Sequence, residues 1–139
     1  MGRGTVLIID TSAALRQHVN VVLTQLGYNV VEAFDSRAGG RILEEESVCL
    51  LIIGRSLAGD SIDRFLQETR KSALNATVPI LFLNHEKGTN HRDSLLFPHM
   101  LQLTTPFSSD SLEAAVHKLL PDVSYVPVGV LSEMQNYQN

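Results

Sequence analysis

Five short apolar runs separated by stretches of helical periodicity predict a three-layer α/β domain built on a parallel sheet. The runs are Thr5–Ile9, Asn29–Ala33, Cys49–Ile53, Val78–Leu83 and Met100–Thr104. They are rich in Val, Ile and Leu and mostly lack alternation, as strands buried on both faces of a parallel sheet do. The chain has 139 residues, 44% of them hydrophobic and 19% charged, enough for one domain with a sizeable core and incompatible with wholesale disorder.

The first helix is predicted from Leu15, Val19, Val22 and Leu26, a single apolar stripe that starts behind the capping candidates Thr11 and Ser12 and ends at Gly27. Val21 and Leu23 widen its apolar surface beyond that stripe. The second, Ser36–Glu45, carries Gly39 and Gly40 inside it, each costing about 1 kcal/mol relative to alanine, so it should be short. Cys49 opens the third strand and reads as an inert core thiol. Ile62, Phe65, Leu66 and Thr69 mark a third helix. Asn75-Ala-Thr77 matches a glycosylation acceptor, which without a secretory route is coincidence.

Glu86–Leu96 opens on polar residues and gathers its apolar content in Leu95, Leu96 and Phe97, giving a short, weaker helix. The last helix runs through Leu112, Val116, Leu119 and Leu120, begins behind Ser108 and is stopped by Pro121. Residues 1–121 thus form the domain, and 122–139 read as a tail or as a linker to an output domain.

Composition narrows the function classes. A net charge of −4 argues against a nucleic-acid surface. No apolar run approaches the ~18–20 residues of a membrane span. The single cysteine excludes an internal disulfide and a Cys-rich zinc site, which makes a cytoplasmic setting the expectation.

In such a sheet, ligands bind beyond the carboxyl ends of the strands. The residues there are Asp10-Thr11, Gly54-Arg55-Ser56, Asn84-His85 and Thr105-Pro106. Together with Val-Leu-Ile-Ile-Asp-Thr-Ser at 6–12, Leu-Gly-Tyr-Asn-Val at 26–30, Leu-Leu-Ile-Ile at 50–53, Pro-Ile-Leu-Phe-Leu at 79–83 and Leu-Thr-Thr-Pro-Phe-Ser at 103–108, they give a chain that resembles the receiver domain of two-component response regulators over about residues 4–120. The resemblance implies a flavodoxin-like fold with strand order 2-1-3-4-5 and five helices.

It also implies a chemistry: phosphoryl transfer onto an aspartate after the third strand, Mg²⁺ held by acidic residues, and a Ser/Thr and a Lys that meet the phosphoryl group. Here the acidic pair is Asp10-Thr11, the acceptor position is Gly54, the Ser/Thr position is Asn84 and the lysine position is Thr105. Gln102 replaces the aromatic residue that receivers often carry just before it. The expectation is a pseudo-receiver without catalysis, with Mg²⁺ binding weak or absent and no other cofactor.

Asp10 reads as a structural carboxylate near the first helix, with a leftover metal ligand as the sharper alternative. Arg55 could pair with Asp10, bind an anion or simply face solvent. Asp60 or Ser56 could serve as a displaced acceptor. His85, His91 and His99 match no compact zinc spacing and read as surface histidines.

The functional expectation is a phosphorylation-independent signalling module that dimerises or docks a protein partner or output domain. Leu95, Leu96, Phe97 and Gln102 are candidates for its interaction face. The alternatives are a small-ligand or anion sensor that uses the vacated pocket, with Arg55 as counter-ion, and a residual phosphorelay receiver.

Overall fold

A computed structural model describes residues 2–54, 60–84 and 99–121. The elements follow in the order β1 (Thr5–Ile9), α1 (Ala13–Gln25), β2 (Asn29–Ala33), α2 (Ser36–Glu45), β3 (Leu50–Ile53), α3 (Asp60–Lys71), β4 (Ile80–Asn84), β5 (Met100–Thr104) and α4 (Ser109–Leu119). All four strand pairings are parallel and the sheet order is β2-β1-β3-β4-β5. This is the expected receiver topology. Four helices are described, and the helix expected over 86–96 lies outside the described residues.

The period-2 geometry of the strands builds the two cores. Leu7, Ile9, Leu51, Ile53, Ile80 and Phe82 face one side with Leu43 of α2 and with Ile62, Phe65 and Leu66 of α3. Val6, Ile8, Leu50, Ile52, Leu81 and Leu83 face the other, against Val19, Val22 and Leu23 of α1 and Leu112 and Val116 of α4. Only the three central strands are buried on both faces, which explains their unbroken apolar runs. The edge strands β2 and β5 are only partly covered. Leu23 corrects the sequence reading: it is fully buried core, and Val21, half exposed, is the surplus apolar residue of α1.

The helix ends follow local chemistry. Ser12 Oγ accepts from the Leu15 N–H, Asp35 Oδ1 from the Ala38 N–H and Ser108 Oγ from the Ser111 N–H. At the end of α1, Gly27 takes φ +97°, its N–H donates to the Thr24 carbonyl and the Tyr28 N–H to the Leu23 carbonyl, a Schellman closure that needs glycine. Strand β4 starts at Ile80 rather than Val78. The Val78 N–H is bonded to the Asn75 carbonyl in a turn, and Pro79 has no N–H to offer a ladder.

The two glycines of α2 have different roles. A Cβ on Gly39 would overlap the Ile9 side chain, with Cγ1 at 2.9 Å, so its absence lets the helix close onto β1. A Cβ on Gly40 would make ordinary contact with Phe65 Cε1 at 3.8 Å.

Candidate functional site at the strand ends

Parallel pairing brings the ends of all five strands to one edge of the sheet. Asp10 follows β1, Gly54 follows β3, Asn84 closes β4 opposite Thr104, and Thr105 follows β5. The sheet therefore gathers Asp10, Thr11, Gly54, Asn84 and Thr105 along the edge where a receiver performs its chemistry.

The backbone fixes Asp10 from both sides. Its N–H donates to the Ala33 carbonyl at 3.2 Å, and the Gly54 N–H donates to the carbonyl of neighbouring Ile9 at 2.8 Å. Only 3% of Asp10 is exposed, and its Oδ1 accepts the Ser12 N–H at 2.6 Å, at the start of α1. The carboxylate thus meets the positive end of a helix, as a structural carboxylate does. It also fills the space over Gly54: a Cβ there would overlap the Asp10 carboxylate and stand 2.7 Å from Asp10 Cβ. The pocket expected to be vacant at this point is occupied by the protein's own side chain.

This geometry also tests the site for magnesium. A hard divalent cation needs several oxygen ligands that can turn toward it. Thr11 and Gly54 supply no carboxylate, and Asp10 is committed to Ser12 and packed over Gly54. Among the described residues no group of three or more His, Cys, Asp or Glu side chains is arranged to hold a metal. The described residues do not fit the ion that the receiver fold implies.

A polar chain, not anticipated from the sequence, braces the site. Arg16 Nη1 donates to the Asp10 carbonyl at 2.6 Å while its Nε donates to Glu32 Oε1 at 3.0 Å. Asn20 Nδ2 donates to the other Glu32 oxygen at 2.9 Å, and Thr24 Oγ1 donates to Asn20 Oδ1. The signal was present: Arg16, Asn20 and Thr24 are spaced by four on α1, and Glu32 is the one charged residue within β2. The expectation that Arg55 pairs with Asp10 lies outside the described residues, as do Ser56, His85, His91, Leu95, Leu96 and Phe97.

Gln102 is half-buried on the edge strand β5, opposite Phe82. Phe107 leaves the Thr105-Pro106 turn to meet His18 of α1 edge-on, with ring centroids 5.3 Å apart. Cys49 lies near the opposite edge, and burial pushes its thiol pKa up, which keeps it protonated and a poor nucleophile. His99 is exposed, with φ 65°, just before β5. Among the described residues no helix is long and apolar enough to cross a membrane.

Comparison with known proteins extends this picture. The family model described as "Flagellar regulatory protein FleQ" matches residues 5–119. The phosphate regulon transcriptional regulatory protein PhoB of Escherichia coli K12 is 26% identical over 131 residues, covering 94% of this chain and 57% of that protein. PhoB of Pseudomonas aeruginosa is 25% identical, with 91% and 57% covered, so the chain spans little more than half the length of these relatives.

Among solved structures, the chemotaxis response regulator CheY4 of Vibrio cholerae superposes with a TM-score of 0.75 at 22% identity, covering 83% of this chain and 97% of that one. The receiver domain of sensor histidine kinase PA1611 from P. aeruginosa, which has magnesium coordinated in its active-site cleft, gives 0.74 at 19% identity, covering 88% and 100%. These structural likenesses establish the receiver fold.

Proposed function

The chain belongs to the family described as flagellar regulatory protein FleQ, and from that membership we propose that it is a pseudo-receiver, a signalling module that works without phosphorylation. One observation carries the reading: the Asp10 carboxylate, held by the Ser12 N–H, fills the space that an acceptor side chain at position 54 would need. A phosphoryl group at this edge would lack an acceptor carboxylate at position 54, a lysine at position 105 to neutralise it, and a metal site formed by the described residues. Mg²⁺ binding is accordingly weak or absent, and no other cofactor is called for.

The module then acts through protein contacts: a second copy, a separate partner, or an output domain of a longer regulator. The PhoB relatives, transcriptional regulators nearly twice the length matched here, support the last of these. The cytoplasm is the setting that such a role requires. Docking a ligand into a vacated strand-end pocket is the weaker reading, because Asp10 occupies the space over Gly54.

The test is incubation with a small-molecule phosphodonor and Mg²⁺, read by intact mass. An unmodified chain is expected. Stoichiometric phosphorylation, at Asp60 or elsewhere, would overturn the proposal.

A further inference from the structure

Away from the strand ends, α2 and α3 enclose a groove of about 420 Å³, within the size range of small-molecule sites. Arg37 and Arg41 of α2 and Arg64 of α3 line it, together with Glu44 and Glu68, over a floor that includes Phe65. All three arginines are exposed, and none is engaged by a carboxylate among the described residues.

The placement of these charges on α2 works against the helix that carries them. Its first turn holds no acidic residue and its last turn no basic one. Arg37 and Arg41 stand in its first half and Glu44 and Glu45 in its last turn, opposite to what the helix dipole favours. Arg37 and Arg41 are also like charges at i, i+4, which is destabilising in itself. By contrast α3 ends on Arg70 and Lys71, and α4 runs from Asp110 to His117 and Lys118, both with the dipole. The rule is kept in α3 and α4 but not in α1, whose first turn also lacks an acidic residue and whose last turn lacks a basic one. What sets α2 apart among the described helices is the inversion itself, arginines early and glutamates late.

Gly40 lines the same groove, where its missing side chain leaves backbone open to close approach. We propose that the α2–α3 groove binds a small ligand bearing a diphosphate or triphosphate group, held by Arg37, Arg41 and Arg64. Guanidinium forks match phosphate oxygens in pairs, and three of them suit several linked phosphates better than a single carboxylate. Glu44 and Glu68 line the same groove and disfavour further negative charge, so the remainder of the ligand is uncharged or a hydrogen-bond donor. The site is separate from the strand ends and does not depend on whether those are phosphorylated.

Calorimetric titration of the full chain with inorganic tripolyphosphate and with nucleoside di- and triphosphates, at two salt concentrations, tests this. Binding that weakens with salt is expected, and it should fall roughly tenfold in Arg41→Gln and in Arg64→Gln, the loss of one charge-assisted contact. Gly40→Met should block the groove without changing its charge, while Lys118→Gln on α4 should leave binding unchanged. Tripolyphosphate binding as well as the nucleotides points to an inorganic source, and stronger nucleotide binding points to a nucleoside ligand. No heat with either class, equal loss in Lys118→Gln, or binding of a Glu-rich peptide in place of both would overturn the proposal.

Discussion

The strand-end site and the α2–α3 groove lie on one small domain and differ in how their charges are satisfied. At the strand ends the Asp10 carboxylate is buried, bonded to the Ser12 N–H and packed over Gly54, and its backbone is tied to Arg16. In the groove the guanidinium groups of Arg37 and Arg41 on α2 and of Arg64 on α3 stand exposed, without a carboxylate partner among the described residues. A site that satisfies its own polar groups leaves little for a ligand to gain there. A site that leaves charges unpaired keeps that interaction free energy for a ligand, and the same fold holds both.

The largest expected effect concerns Asn75, which holds the end of the groove's α2 wall without lining the groove itself. Asn75 is buried, its Oδ1 accepts the Val48 N–H at 2.9 Å, and its Nδ2 donates to the carbonyls of Leu43 and Glu46 at 2.8 and 2.9 Å. It ties the end of α2 to the entry of β3. Asn75→Ala leaves a buried N–H and two carbonyls short of partners, and should cost about 3 kcal/mol in urea unfolding. A loss under about 1 kcal/mol would mean that solvent replaces these bonds.

Next comes the glycine pair. Gly39→Ala drives a Cβ into the Ile9 side chain and should destabilise by about 2 kcal/mol despite its better helix propensity. Gly40→Ala meets only ordinary contact with Phe65 and should stabilise by up to about 1 kcal/mol. Equal effects from the two would contradict the close packing of Gly39 on Ile9.

The strand-end site is sharpened by a double-mutant cycle. Gly54→Ala displaces the Asp10 carboxylate and should cost about 1–2 kcal/mol in thermal or urea unfolding. In an Asp10→Ala background the same change should be close to neutral. Additivity of the two would show that Asp10 does not fill the space over Gly54.

Smaller still is Arg16→Ala, expected to cost under about 1 kcal/mol because the Arg16–Glu32 pair is partly exposed. The smallest effect is at Cys49. Its raised thiol pKa means that the contribution of this group to stability is whole below the ordinary thiol range and declines as pH rises through it. Alkylation by iodoacetamide in the folded state should be slower than in urea at the same pH, and equal rates would contradict the burial.

Much of this was legible in the chain. The apolar runs of β1, β2 and β5 stand where the sequence places them, because burial on a sheet selects Val, Ile and Leu wherever such strands occur. Ser12, Asp35, Ser108 and Gly27 terminate helices through bonds of three to five residues' reach, so their roles are local. The departures at Gly54, Asn84 and Thr105 were likewise readable as residue types against a resemblance.

What the sequence could not decide was distance between elements far apart in the chain. Gly39 read as a weak helix position until α2 was seen to close on Ile9. The burial of Leu23 depends on the sheet beneath it, and the structural role of Asn75 on its bonds to the Leu43 carbonyl of α2 and the Val48 N–H ahead of β3. The filling of the Gly54 space by Asp10, 44 positions earlier, is of the same kind. Periodicity, caps and breakers act within a turn or two of backbone and are written in neighbouring residues. Packing and buried hydrogen bonds join residues that only the tertiary fold brings together, and those contacts decided which site was closed and which was open.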